Sequence, residues 1–123
     1  MDIGLLKIFN LIIGFGILNV WLLRYNKETA FRGGNSKNLK EEFKFYGLPN
    51  WFFILIGIIK VSLAILLIIG VWFENLTFYS TIGIAILMIG ALLMHLKVKD
   101  PIKKSLPAIS ILLMLISIIF NIV

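Results

Sequence analysis

Four long apolar stretches follow one another along the chain, and each is continuously apolar rather than alternating between apolar and polar residues. They cover roughly residues 3–23, 51–73, 78–96 and 106–123. A helix needs about 20 mainly apolar residues to cross the hydrocarbon core of a bilayer, whereas transmembrane strands would alternate in segments of about ten residues. The pattern therefore predicts an all-α integral membrane protein, a four-helix bundle in up-down-up-down order that forms a single membrane domain over residues 1–123.

The segment between the first two stretches, residues 24–47, is the one sizeable polar part of the sequence. In its second half Leu39, Phe43 and Tyr46 recur at intervals of four and three, which is the spacing of one helical face. Ser36 stands where a helix cap is expected. We therefore expect a short amphipathic helix here, either in the headgroup boundary of the membrane or over the opening of the bundle.

The composition supports a membrane location, because 60% of the residues are hydrophobic, against about 45–50% apolar residues in soluble domains. The net charge of +6 comes mostly from two short segments beside the spans. Their basic residues are Arg24, Lys27, Arg32, Lys37, Lys40 and Lys44 in the first, and Lys97, Lys99, Lys103 and Lys104 in the second. The connection on the opposite side carries only Glu74.

This charge asymmetry predicts the orientation of the chain. By the positive-inside rule the two basic segments and the short helix lie in the cytoplasm, and both termini lie outside. We expect the plasma membrane of a prokaryote as the location, which is the inner membrane of a cell that has two. Membrane lipid is the expected partner, and nucleic acid is not, because the basic residues flank spans.

Cysteine is absent and there is a single histidine. Disulfides, a dithiol redox centre and thiolate-bound metals are thereby excluded, and one histidine cannot supply a bis-histidine haem. We expect no metal, so that any redox role would need an organic cofactor such as a quinone or a partner subunit. No nucleophile–base pair or phosphate loop is visible, and we expect no independent catalytic activity.

Lys60 stands in the middle of the second apolar stretch, which has no other charge. A charge at the centre of a spanning helix costs about 2.5–3.5 kcal/mol on insertion scales, so it usually faces a partner or a cavity inside the bundle. Lys60 is therefore a candidate ligand-binding residue; the alternative is a purely structural polar link between helices.

His95 lies near the basic end of the third stretch, on one helical face with Ile84, Met88 and Ala91. Histidine is the side chain that exchanges protons near neutral pH. It is either an interfacial residue or a ligand-binding residue. If its face turns towards the second span, His95 and Lys60 would line one cytoplasm-facing pocket.

Two carboxylates of the polar segment, Glu41 and Glu42, could complete this pocket. Either one of them reaches the opening of the bundle, or both pair with nearby Lys40, Lys44 or Arg24 in a solvated loop, where such pairs contribute little. Arg24 and Asn19, at the same end of the first span, are the remaining candidate ligand-binding residues.

Other positions predict how the spans pack. Small residues permit close approach between helices in lipid and polar side chains link neighbours; the positions concerned are Asn10, Gly14, Gly16, Gly57, Gly83 and Gly90. In the fourth span a face of Ser110, Met114, Ser117 and Asn121 is expected to turn inward. Aromatic residues at the ends of spans are expected to anchor them at the interface; they include Trp21, Tyr46, Trp51, Trp72, Phe73 and Tyr79.

The run EEFKFYGLP at residues 41–49, the span with Gly57 and Lys60, His95, and Lys-Asp-Pro at residues 99–101 together resemble the DoxX-like family. The resemblance implies a small four-helix membrane protein with a long first cytoplasmic loop. The family's relatives include membrane subunits linked to quinones and to respiratory thiosulfate or quinol chemistry. Many relatives carry a glutamate in the second span where this chain has Lys60.

Two functions are compatible with these features. The first is a bundle that binds a small amphiphilic ligand, quinone-like or lipid-like, with Lys60 and His95 as polar anchors. The second is an accessory or assembly subunit of a larger membrane complex, without a ligand of its own. A homo-oligomer is compatible with either, and a transporter with only four spans would need to dimerise to make room for alternating access.

Overall fold

The computed structural model describes residues 3–23, 33–34 and 36–122, and this part of the chain is helical with no strand. Five α-helices follow in order: α1 (Ile3–Leu18), α2 (Leu39–Phe45), α3 (Asn50–Ile69), α4 (Glu74–Lys97) and α5 (Leu106–Ile122). A π-helical segment, Asn19–Leu23, extends α1, and a 3-10 turn, Ile102–Ser105, leads into α5.

Helices α1, α3, α4 and α5 are the membrane spans, because each forms or belongs to an apolar helical segment of 20 or more residues. Helix α3 packs between α1 and α4, and α5 packs on α4 and on α1, which closes a ring of four. Short connections join α3 to α4 and α4 to α5, so these neighbours are antiparallel. The prediction of an all-α membrane bundle is confirmed, including the short helix α2, which packs on α3.

The two ends of the bundle differ in charge. We call the end that holds residues 33–48 and 98–105 the basic end, and the end that holds the α3–α4 turn the hairpin end. At the hairpin end α3 stops at Ile69 and the backbone turns through Gly70, Val71 and Trp72. Glu74 then lies in the first turn of α4, where its negative charge interacts favourably with the positive end of the helix dipole.

The core of the bundle is formed by side chains from all four spans. Its buried members include Ile13 and Ile17 of α1, Leu67 of α3, Ile84 of α4, and Leu115 and Ile118 of α5. The sequence left open whether the His95 face of α4 turns inward, and in the structure Ile84, Met88 and His95 are buried along this face.

A polar link crosses the bundle near the hairpin end. The side-chain amide of Asn10 donates to the carbonyl oxygen of Leu67 at 3.3 Å and to Oγ1 of Thr77 at 3.0 Å. The Thr77 hydroxyl in turn donates to the carbonyl oxygen of Gly70 at 2.9 Å. These bonds tie α1 to the C-terminal end of α3 and to the first turns of α4, and they satisfy buried polar groups that lipid could not satisfy.

Glycines allow close helix contacts at three of the predicted positions. A Cβ atom at Gly57 would lie 2.8 Å from the Trp21 ring, and one at Gly83 would lie 3.0 Å from the side chain of Leu63. Gly14 is similarly close to Ile68 and to the backbone of Ala64. For Gly16 and Gly90, by contrast, no described residue outside the backbone of their own helix lies within 4 Å of the position of a Cβ atom.

The predicted inward face of α5 is wrong for Ser110 and Asn121, although Met114 of the same face packs against the core. Ser110 and Asn121 are exposed, whereas Ala108, Leu115 and Ile118 are buried. The Ser117 hydroxyl donates to the carbonyl oxygen of Leu113 and the Asn121 amide to that of Ser117, both within α5. Because a helix backbone can satisfy such short polar side chains locally, they do not have to turn towards the interior.

Candidate functional site

Two adjoining cavities open inside the basic end of the bundle. One, of about 290 Å³, lies between α1, α4 and α5 and is called here the α5 chamber. The other, of about 340 Å³, lies between α2, α3 and α4 and is called the α2 chamber. Five residues border both chambers: Trp21, Leu39, Glu42, Lys60 and Ala91. Lys60 and Glu42 therefore stand at the boundary between two spaces whose other walls are mainly apolar.

The ammonium group of Lys60 has an aromatic partner. Lys60 is the eleventh residue of α3 and its side chain is partly buried. Its Nζ atom lies 5.4 Å from the centroid of the Trp21 ring, and such a cation–π contact contributes about 0.5–1 kcal/mol at an exposed site and about 2 kcal/mol when desolvated. This is less than the insertion cost of about 2.5–3.5 kcal/mol, so the ammonium needs a further polar partner.

Glu42 is the carboxylate that faces the same space. It lies on α2 and its negative charge acts on Lys60 across the two chambers. The Tyr46 hydroxyl donates to Oε1 of Glu42 at 2.8 Å. Tyr46 is itself buried, and its carbonyl oxygen accepts a hydrogen bond of 2.8 Å from Nζ of Lys97. This end of α2 is thus fixed to the basic end of α4, which positions Glu42 over the chambers.

Glu41, the second candidate carboxylate, stays on the outer surface of α2. Its backbone N–H donates to Oδ1 of Asn38 and its own Oε2 accepts from the backbone N–H of Lys37, both at 2.8 Å. The N-cap is therefore Asn38 and not Ser36, which is buried two residues earlier. The Glu41 carboxylate is occupied in a reciprocal cap and does not border either chamber.

His95 borders the α5 chamber and is held by a carboxylate that the sequence interpretation did not include. Its Nδ1 atom lies 2.8 Å from Oδ2 of Asp100, and both side chains are buried. Lys99 has a positive φ of 57° just beyond α4, and this sharp turn directs Asp100 back onto His95. The signal available in the sequence was an acidic residue five positions after the histidine, just before a proline.

Asp100 also connects α4 to the polar segment. Its Oδ1 atom accepts a hydrogen bond of 3.0 Å from the backbone N–H of Gly34 and lies 3.8 Å from Nζ of Lys104. Lys104 donates to the carbonyl oxygen of Gly34. Gly34 has a positive φ of 57°, a conformation that glycine adopts without steric cost. Asp100 and Lys104 thus clamp the segment that precedes α2 to the basic end of the bundle.

The structure thus brings three of the six candidate residues, Lys60, Glu42 and His95, to the walls of one pair of chambers. Asn19 does not share this location, since its side chain is exposed in the π-helical segment and does not border the chambers. Arg24 lies outside the described residues. Within the described ranges no three His, Asp or Glu side chains are grouped as metal ligands would be.

The aromatic residues divide into two groups. Trp51, Trp72, Phe73 and Tyr79 are strongly exposed, as interface anchors would be. Two others that were expected to anchor the spans, Trp21 and Tyr46, pack within the protein instead. Trp21 stacks on Phe53 at 5.4 Å and meets the edge of Phe43 at 5.8 Å. Because Gly57 has no side chain, it leaves the space for the indole ring. This tertiary contact is not revealed by position along the chain.

Comparison with known proteins finds a match to a protein family. The sequence profile of the DoxX-like family matches residues 30–117, which is most of the chain and includes α2, α3, α4 and the greater part of α5. No curated protein and no solved structure matches the chain significantly.

Proposed function

The chain belongs to the DoxX-like family, and we propose that this small multi-pass membrane protein binds an amphiphilic ligand, quinone-like or lipid-like, in the two chambers. The observation that carries the proposal is the placement of Lys60. Lys60 belongs to a spanning helix, and its side chain borders two cavities whose other walls are mainly apolar. A charge in such a position marks a functional site more often than not.

The size and chemistry of the chambers support a small amphiphile. Ligand sites commonly have volumes of about 300–1,000 Å³, with apolar walls and a few polar groups that orient the ligand. The chambers measure about 290 and 340 Å³ and adjoin at Lys60 and Glu42. The apolar body of a ligand would lie against side chains such as Ile17, Ile111 and Met94, which border one chamber or the other.

The polar groups would each take one role in binding. Lys60 can donate a hydrogen bond to a carbonyl, phenolate or phosphate oxygen of the ligand. Nδ1 of His95 is engaged with Asp100, so that Nε2 is the ring nitrogen available to a ligand. Glu42 can accept from a hydroxyl group. Together they provide both donors and acceptors at the junction of the chambers.

The orientation in the membrane is part of the proposal. The basic segments carry ten lysines and arginines, counted as six in residues 24–47 and four in residues 97–104. This excess supports an orientation in which the basic end faces the cytoplasm and both termini lie outside, in the plasma membrane of a prokaryote. The chambers would then be reached from the cytoplasmic side.

A thermal-shift comparison tests ligand binding. We expect decylubiquinone, menadione or lysophosphatidylglycerol to raise the Tm of the full chain in detergent, and Lys60→Met to remain folded but to lose that shift. A ligand at 100 times its Kd stabilises the folded state by about 2.7 kcal/mol. Lys103→Met is the matched control, because Lys103 is exposed at the same end and borders neither chamber.

The outcome of this comparison is decisive for ligand binding. Equal shifts in wild type, Lys60→Met and Lys103→Met would show binding elsewhere on the surface. No shift with any of the three probes would contradict the proposed ligand class.

A second candidate function is an accessory subunit of a larger membrane complex. The observation that favours it is the outward position of the polar residues of α5, such as Ser110, on a helix that faces lipid in the isolated chain. Polar side chains commonly link helices in membranes. A partner seated on α5 would cover this surface.

A further inference from the structure

Two glycines border the chambers and have no packing partner among the described residues; Gly16 is exposed and Gly90 is half-buried. Of the helical glycines described, Gly14, Gly57 and Gly83 would bring a Cβ atom to within about 3 Å of a neighbouring side chain, so their absence of a side chain serves close packing. At Gly16 and Gly90 a Cβ atom would meet none of the described residues within 4 Å, apart from the backbone of its own helix. Close packing against the described residues therefore does not explain these two glycines.

Their positions relate them to the proposed ligand. Gly16 lies on α1 and borders the α5 chamber, while Gly90 lies on α4 and borders the α2 chamber. One open glycine thus stands on each side of the boundary formed by Lys60 and Glu42. Any larger residue at either position would project into space that the ligand is proposed to fill.

Glycine also has an energetic cost in a helix. Inside a helix it destabilises the fold relative to alanine, because it loses more backbone freedom on folding. At Gly14 and Gly57 the close contact compensates for this loss, but at Gly16 and Gly90 the described residues provide no such contact. We therefore relate the presence of these two glycines to the space that they leave open.

We propose that Gly16 and Gly90 are specificity-determining residues that keep room open on the two sides of Lys60 and limit the bulk of the ligand. This inference rests on the proposed function. It further states that the ligand occupies both chambers, with its polar group at Lys60 and apolar parts on either side. An amphiphile with bulk on only one side would leave one of the chambers empty.

Single-cysteine variants test the open space without any ligand, because the natural chain contains no cysteine. Gly16→Cys and Gly90→Cys in the full chain in nanodiscs are treated with the small methyl methanethiosulfonate and the bulkier benzyl methanethiosulfonate. The matched control is Ile58→Cys, since Ile58 is exposed on the outer face of α3 and borders an open surface groove, not either chamber. Only a thiolate reacts, and surrounding lipid suppresses its formation.

We expect both chamber thiols to react with the small reagent at least tenfold faster than the thiol of Ile58→Cys. The benzyl reagent should react with them more slowly than the methyl reagent, since the chamber volume is limited. Rates no faster than that of Ile58→Cys would overturn the inference for the glycine concerned. Disulfide-linked dimers of Gly16→Cys would do the same, since they would show that Gly16 packs against a second copy.

A size series then links the glycines to the ligand. For a probe that the wild type binds, Gly16→Leu and Gly90→Leu should each weaken binding at least tenfold, while Gly16→Ala and Gly90→Ala should keep or raise the Tm of the free protein. Unchanged binding in both leucine variants, with binding still lost in Lys60→Met, would overturn the inference and leave the proposed function standing. If no probe binds the wild type, the proposed function fails, and the thiol rates alone decide whether the two glycines face open space.

Discussion

At the scale of single residues, the basic end of the bundle depends on Asp100. This one carboxylate holds Nδ1 of His95 through Oδ2 and the backbone of Gly34 through Oδ1. It therefore fixes the ring of a residue on the chamber wall and also clamps the segment before α2. Hydrogen bonds to charged groups contribute about 1.5–3 kcal/mol each to the free energy of unfolding. Asp100 therefore stabilises the folded state more than an exposed ion pair would.

Replacing Asp100 is expected to loosen this region without unfolding the spans. In Asp100→Ala the Gly34 N–H and the His95 ring lose their acceptor, so amide hydrogen exchange in α2 should rise by about tenfold or more. Exchange in the middle of α4 should stay unchanged. Asp100→Asn, which retains an acceptor oxygen for Gly34, should have a smaller effect.

The control for this experiment is Lys103→Ala, at an exposed position of the same segment. Exchange in α2 that is the same in Asp100→Ala as in wild type would show that Asp100 does not hold the segment.

At the scale of elements, α2 and α5 show where helical spacing is informative and where it is ambiguous. The apolar face of Leu39 and Tyr46 was predicted from their spacing, and both residues are buried against the bundle. Spacing identified the face because a short helix with one apolar face must turn that face away from water. Nearly every face of α5 is apolar, so spacing alone did not identify the buried one. Its inward residues, including Leu115 and Ile118, were decided by contact with α1 and α4.

The exposed face of α5 allows a test of the second candidate function. If α5 binds a partner, a photoreactive amino acid in place of Ser110 should give one stoichiometric adduct in native membranes. The same amino acid in place of Ile58, on the outer face of α3, should give none, because that surface would remain in lipid. Recovery of the uncrosslinked chain alone from both variants would count against an accessory role.

At the scale of the whole molecule, the separation of charge between the two ends predicts the orientation. The basic end holds Lys40 on the exposed side of α2, and the hairpin end holds Asn75 in the first turn of α4. Because the natural chain has no cysteine, a single introduced thiol reports the side of the membrane on which it lies.

We expect a membrane-impermeant maleimide to label Asn75→Cys on intact cells and Lys40→Cys only after lysis. The physical reason is that lysine and arginine close to spans are retained on the cytoplasmic side. The reverse pattern would place the chambers on the outer side, and labelling of both variants on intact cells would indicate mixed orientation or leaky membranes. A cysteine-free wild-type sample gives the background.

The sequence by itself determined the class of the protein, its four spans and the location of its polar segments, because these depend on the total apolar length and on charge along the chain. It also singled out Lys60, since a charge inside an apolar stretch is unfavourable wherever the helices pack. What only the tertiary structure decided is which side chains meet it: Trp21, Glu42 and the two chambers, with Asp100 behind His95. These contacts depend on the rotation of each helix about its axis and on turns such as the one at Lys99. Both are determined by packing between elements and not by the order of residues along one helix.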